Sequence, residues 1–373
     1  MSPGLEIQLI AIIIAIACAL VGVFLVLRKM AMVSDAITHT ILLGIVLGFF
    51  ITKDINSPML IIGATLMGVV TVWLTEMLKQ THLVSEDAAI GLVFPFLFSI
   101  AIILLTRYAG QTHLCIDSVL LGEITFAPFN RLYVGGRDVG AKAIYTGGLL
   151  LIVNVTAISL MYKELKITTF DPILASIIGI TPTVFYYLIM ILVSLTAVVS
   201  FEAVGSILVI AFMIGPSITA YFLTKDLKKM ILLAAFFGSM TAIMGYYLAV
   251  ALDVSIAGSM AVVMGIIFCG VLIFAPKQGI VNSCIQRSRQ KKAFSQATLL
   301  VHLYNHQGAC DEKEENGIHT IQHHLHWKPE KMNKLLKELI QDKRIEIQQE
   351  VIVLTQKGIE DTELIAHTLL SIE

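Results

Sequence analysis

The sequence predicts an all-α polytopic membrane protein of eight or nine transmembrane helices, with a small α+β domain at its C-terminal end. Three observations carry that expectation. The 373 residues are 57% hydrophobic and only 14% charged, with a mean hydropathy of +0.84, whereas soluble domains carry about 25% charge. Apolar runs long enough to cross, or nearly cross, a hydrocarbon core of roughly 30 Å recur through residues 1–276. The charges are unevenly placed: residues 1–276 hold 13 Lys and Arg and 14 Asp and Glu, and the 97 residues from Lys277 onward hold the other 13 and 13. The chain therefore divides into a membrane domain at 1–276, a basic juxtamembrane linker at 277–292 and a soluble domain at 293–373.

The runs fall at about Leu5–Leu27, Asp35–Ile51, Met59–Leu78, Ala88–Thr106, Ala143–Tyr162, Thr183–Ser200, Val204–Leu223, Ile231–Ala251 and Ile256–Phe274. The first lacks the basic region and cleavage site of a secretory signal, so it reads as a retained membrane helix. The second is short for a full crossing and carries polar residues, which suits a discontinuous or tilted helix. Pro216 sits inside the seventh run, where it frees a backbone carbonyl and bends the helix. With the loop at Arg28 and Lys29 inside, eight basic residues lie on the inner side and five on the outer, which sets the N-terminus outside and the C-terminal domain in the cytoplasm.

Two short segments interrupt this pattern. Residues 118–124 are too short to span and suit either a re-entrant turn closing the outer end of a path or an ordinary amphipathic loop. Residues 169–180, TFDPILASIIGI, read as a short capped helix, with Asp171 at the N-cap, Pro172 at the first helical position and Gly179 at the terminus. Its apolar face needs a cover, either from this chain or from another protein.

The chemistry concentrates in the second run. Asp35 and His39 stand four apart and share a helical face, and counting ~1.5 Å per residue from Arg28 places His39 about 15 Å deep. An acid and an imidazole at that depth are tolerated mainly along a substrate or ion pathway; the alternative is a buried hydrogen bond that only fixes packing. Cys18, Cys115, Cys269, Cys284 and Cys310 show no CxxC spacing, so no thiolate metal site or disulfide framework is expected. No GxxxxGK[ST] sequence occurs, so the chain is not expected to be an enzyme that hydrolyses ATP through a P-loop.

The run of residues 22–49, GVFLVLRKMAMVSDAITHTILLGIVLGF, followed in order by EDAAIGLVF (86–94), LLGEI (120–124), FDPILASIIGI (170–180), VGSILVIAFMIGPSITA (204–220) and LDVSIAGSMAVV (252–263), resembles the permease subunits of bacterial manganese, zinc and iron importers of the ATP-binding-cassette class. The resemblance implies a homodimeric path in the bacterial cytoplasmic (inner) membrane. It also implies a separate ATP-binding subunit inside and an extracytoplasmic metal-binding protein outside. On that view Asp35 and His39 are the pathway residues, and Phe170, Asp171, Pro172, Ala175 and Gly179 belong to the helix that couples to the ATPase. No permanently bound cofactor is implied, and the metal (Mn, Zn or Fe) is cargo. Two departures stand out: Thr40-Ile-Leu-Leu-Gly44 replaces a family A-x-LPG, and Ser255-Ile-Ala-Gly258 replaces P-T-G.

The tail begins with Arg287-Ser-Arg-Gln-Lys-Lys292, suited to anionic lipid headgroups. Helices are expected at 294–305, 320–325 and 329–342, then an alternating hairpin at 344–354. This order, with Leu354-Thr-Gln-Lys-Gly358, resembles the winged-helix module of iron-dependent repressors. Residues 293–373 carry 8 basic and 13 acidic groups, a net of −5, which disfavours DNA as a partner. His319 and His323, in a patch with His324 and His326, are candidate ligands for a regulatory metal. Two other function classes compete with the importer subunit: an ion-coupled secondary carrier protonated at Asp35, and a membrane-anchored metal-responsive regulator.

Overall fold

The computed structural model describes residues 2–54, 57–108, 123–134, 137–276, 279–309 and 312–370. The chain forms two compact units, Met1–Ile280 and Val281–Glu373. Among the described residues of the first unit, nine helices are long and apolar enough to cross a membrane. They are α1 (Pro3–Leu27), α2 (Ala31–Thr52), α3 (Pro58–Gln80), α4 (Glu86–Tyr108), α5 (Lys142–Leu160), α8 (Pro182–Val204), α9 (Ser206–Leu223), α10 (Leu227–Leu252) and α11 (Ile256–Phe274). Two shorter helices, α6 (Tyr162–Phe170) and α7 (Pro172–Ile177), lie between α5 and α8. A small antiparallel hairpin, β1 (Arg131–Val134) and β2 (Arg137–Ala141), precedes α5.

Helix α1 is the axis of the unit, because it is apolar on every side and rich in small residues. Lipid gives no hydrophobic drive for helices to associate, so contact surfaces favour residues that let backbones approach. A Cβ on Gly22 would run into the Met213 carbonyl of α9, so the two backbones touch there. Ser217 of α9 donates to the Ala19 carbonyl at 3.2 Å. Asn154, buried on α5, donates both to the Ala17 carbonyl (3.2 Å) and to Thr196 of α8 (2.9 Å). On the hairpin side, Arg131 bridges the nearly buried Glu6 and Asp138 at 3.4 and 3.3 Å.

Helices α2, α3 and α4 form a second packed group around Leu42, Val46, Met67, Val93 and Leu97. A Cβ on Gly44 would strike the Gly63 carbonyl, so α2 and α3 also meet backbone to backbone. Beside that contact Thr71 donates to Thr40 across the buried interface at 2.8 Å. The second span is thus continuous over 22 residues, about 33 Å at 1.5 Å per residue. This corrects the expected short or broken helix: the chain turns sharply at Arg28–Met30, with Lys29 at φ 61°, and α2 starts four residues before Asp35. Pro216 lies inside α9 as expected, and Pro95 lies inside α4. Gly205, at φ 81°, is the single-residue joint between α8 and α9. Of the segment 118–124, only Glu123 and Ile124 fall within the described residues.

The second unit contains α12 (Ile280–His306), α13 (Glu312–Glu315), α14 (Ile321–His324), α15 (Pro329–Gln341), the hairpin β3 (Ile345–Gln348) and β4 (Val351–Leu354), and α16 (Gln356–Leu370). Helix α12 starts at Ile280, so residues 280–292 of the expected linker are helical; no Gly or Pro between 280 and 306 stops the helix. Helix α15 buries Met332, Leu335, Leu336 and Leu339 on one stripe. Met332, Leu336 and Leu339 pack with Leu299, Leu300 and Leu303 of α12, Ile321 of α14, and Ile345, Ile352 and Leu354 of the hairpin. The glycine of Leu354-Thr-Gln-Lys-Gly358 has a packing reason: a Cβ there would collide with the Arg344 carbonyl, which accepts from the Thr355 amide at 3.1 Å.

Candidate functional site

Asp35 and His39 come together on the first turns of α2. His39 Nε2 lies 3.5 Å from Asp35 Oδ1, with the side chains 33% and 45% exposed, respectively. Measured from the start of α2 at Ala31, they lie about 6 and 12 Å along the helix, shallower than a count from Arg28 suggests because the turn at 28–30 resets the origin. The imidazole rests against two rings of α4, Phe94 at 5.3 Å and Phe98 at 5.9 Å between centroids. One edge of the site is therefore an aromatic wall, and the carboxylate edge is open.

The helix that carries the pair is held by the Gly44–Gly63 contact and the Thr40–Thr71 hydrogen bond, which fix α2 against α3. Phe94 and Phe98, themselves i,i+4, present one face of α4 to α2. An exposed carboxylate on a membrane helix faces water or protein rather than lipid tails. The pair supplies two donors of types suited to divalent transition ions, one oxygen and one imidazole nitrogen. Among the described residues, the one ligand-spaced group of three or more His, Cys, Asp or Glu lies elsewhere, at His302, His306 and Glu315.

Helix α7 is fastened at both ends. Asp171 Oδ1 accepts from the Leu174 amide at 2.9 Å, and Pro172 opens the helix. At the other end the Ile180 amide bonds the Ala175 carbonyl (2.9 Å) and the Gly179 amide bonds the Ser176 carbonyl (3.2 Å), with Gly179 at φ 85°. That is a Schellman closure, whose left-handed residue calls for glycine. Ala175 is buried, while Phe170, Ile173 and Ile177 are 54%, 74% and 76% exposed.

A cavity of ≈ 490 Å³ opens beside this helix, bounded by Arg28–Met30, Lys79, Thr168, Thr169 and Tyr186 among others. Arg28 donates to the hydroxyls of Thr168 and Thr169 at 3.3 Å and sits 5.8 Å from the Tyr186 ring centroid. Burial lowers its pKa from the ordinary value, with Tyr186 opposing that shift.

In the second unit His319 is exposed in the turn 318–320 before α14, so it does not share a helical face with His323, whose side chain lies outside the described ones. Cys115 and Cys310 lie outside the described residues; Cys18, Cys269 and Cys284 are free thiols. Sequence reasoning missed the Phe94–Phe98 wall, the anchoring of Arg28 and the His302–His306–Glu315 group.

Nine candidate spans among the described residues define a polytopic membrane protein, and an ionisable pair on one of them is a feature of the transport class. Its sequence matches the ABC 3 transport family over residues 5–275, and the chain belongs to that family. It is 39% identical over 359 residues to the zinc transport system membrane protein TroD of Treponema pallidum, covering 95% of this chain and 96% of that protein. It is 42% identical over 281 residues to the manganese transport system membrane protein MntD of Bacillus subtilis, covering 75% and 95%. Its structure resembles PsaBC from Streptococcus pneumoniae in complex with Fab, at 26% identity and a TM-score of 0.62, covering 74% of this chain and 94% of that one.

Proposed function

We infer that the chain is the permease subunit of an ATP-driven importer of manganese or zinc in the bacterial inner membrane. The observation that carries this reading is the Asp35–His39 pair, 3.5 Å apart and open on one side, in a chain of the ABC 3 transport family. One chain offers two ligands. A second copy across a two-fold axis supplies the other two and completes a four-donor site, the usual number for zinc. A path of oxygens and imidazoles without thiolates binds such ions and still lets them go.

In this reading the basic residues at 28–29, 79, 163–166 and 225–229 face the cytoplasm, with the N-terminus outside and the tail inside. Helix α7, with exposed Ile173 and Ile177 and the adjoining cavity, docks on a separate ATP-binding subunit through Phe170, Asp171, Pro172 and Gly179, while buried Ala175, also expected at the coupling surface, seats the helix on this chain instead. An extracytoplasmic metal-binding protein delivers cargo to the opposite end. The tail is a winged-helix module in its order of helices and hairpin, and its net charge of −5 favours protein partners over DNA.

The deciding experiment is metal-resolved uptake in liposomes holding this chain, with and without its ATPase and binding protein. Uptake of manganese or zinc that needs both partners and ATP is the expected result. Uptake by this chain alone marks a secondary carrier and ends the importer reading.

A further inference from the structure

The second unit brings together three metal-ligating side chains that the transport reading does not use. His302 and His306 lie one turn apart on α12, their ring centroids 4.8 Å apart. Glu315 closes α13 opposite them. One ligand atom from each of the three lies within 4.8 Å of the others, all at intermediate burial. His302 Nε2 is 3.3 Å from the Glu315 backbone oxygen and 3.8 Å from its carboxylate, and His324 Nδ1 stands 3.2 Å from the same carboxylate oxygen. We propose that His302, His306 and Glu315 form a binding site for a divalent transition-metal ion, with His324 orienting the Glu315 carboxylate.

Four features support it. Two imidazoles at i,i+4 on one helix with a carboxylate from a facing element make a two-nitrogen, one-oxygen set that leaves one coordination position for water. Ligation needs ligand–ligand spacings of about 3–3.5 Å for bonds near 2.1 Å, which side-chain rotation within the present 4.8 Å can reach. The scaffold is already tied. Asn316 Nδ2 donates to the Leu303 carbonyl (3.4 Å), the Gly308 amide donates to Glu312 (3.1 Å), and Leu299, Leu300 and Leu303 are buried beneath the histidines. Lastly, His306 ends α12, where the helix dipole favours positive charge. His324 supplies the carboxylate hydrogen bond that metal sites use to hold a ligand in place. Imidazole-rich sets follow the Irving–Williams order, so the site binds Zn²⁺ more tightly than Mn²⁺. An ion there would fasten α12 to α13.

The test uses the full-length chain in detergent with Zn²⁺ alone, reading amide exchange of residues 297–318 and zinc affinity by competition. Zinc is expected to slow exchange across this stretch. His306→Ala and Glu315→Gln should each remove that protection and weaken binding at least the roughly 10- to 100-fold that losing even an outer partner costs. The two variants sit on different helices, and the zinc-free exchange pattern shows whether each remains folded, so a folding defect in one leaves the other decisive. The double variant His319→Ala with His323→Ala should keep the protection, as should Asp35→Asn, which separates this site from the transport path. No slowing in the wild type, protection that survives both His306→Ala and Glu315→Gln, or protection lost in the His319 and His323 double variant overturns the proposal.

Discussion

The two candidate metal sites of this molecule are built on opposite plans. In the membrane unit two ligands share one helix, backed by phenylalanines and open on the carboxylate side. In the second unit three ligands come from two elements, with a fourth residue holding the carboxylate in place. An ion passing through a membrane must be released, so an incomplete site completed by symmetry suits conduction. An ion that reports or fastens has no such requirement, and a site tied into one fold can retain it. Ligand number within one chain is what separates the two.

The comparison breaks most visibly at the pair. Asp35→Asn strips the charge from one of two donors per chain and His39→Ala removes the other, and in each variant uptake by the assembled transporter should fall about 100-fold, with the protein inserted at normal level. Normal uptake in both variants would reduce the pair to a packing contact. Its support can be removed separately: Gly44→Val forces a branched side chain into the Gly63 carbonyl and should destabilise the α2–α3 contact by about 1–3 kcal/mol, read as a lowered Tm in detergent. Asp35 and His39 remain chemically intact in that variant, so a transport loss tracking the Tm loss would assign geometry, rather than ligand identity, as the limiting factor.

A smaller effect is expected at the docking helix. Asp171→Ala removes the N-cap of α7, a change of about 0.5–2 kcal/mol, and should lower ATP-driven uptake in part while zinc binding to the chain is unchanged. Crosslinking from a cysteine introduced at the exposed position of Ser176 measures the contact: capture of the ATPase is expected, and crosslinks confined to this chain would remove the docking role. The smallest effect lies in the hairpin of the second unit, whose turn holds Gln349 and Glu350 at φ 48° and 65°. Glu350→Gly relieves a left-handed residue at about 1–2 kcal/mol, less the roughly 0.5–1 kcal/mol of added unfolded-chain entropy. The net gain of up to about 1.5 kcal/mol should appear as slower amide exchange in β3 and β4, with the zinc protection of α12 unaltered.

Most of the membrane architecture was legible in the sequence, since nine apolar runs are a direct consequence of what lipid demands of a chain. That Asp35 and His39 meet was legible as well, because residues four apart share a helical face. The cap and stop of α7 were legible because Asp, Pro and Gly each have a distinct backbone role. Phe94 and Phe98 were not, because aromatic residues in an apolar run carry no sign of which face meets a neighbour. The β1–β2 hairpin escaped for want of an alternating pattern in Arg131–Ala141. The His302–His306–Glu315 group escaped because the expected helix ended at Asn305, one residue short of His306, and because the turn that returns Glu315 to α12 is a tertiary fact. The same gap made His319 and His323 look like helical neighbours when a turn separates them.

Helix α7 is only six residues long, and an isolated helix of that length would not persist in water. Clamped by Asp171 at one end and the Gly179 closure at the other, it is stiff where it would otherwise be compliant. A load applied at Ile173 and Ile177 is therefore not absorbed as unwinding. On the docking reading proposed above, it would pass to α6 through the Asp171 joint and to α8 through residues 180–182, as displacement rather than strain.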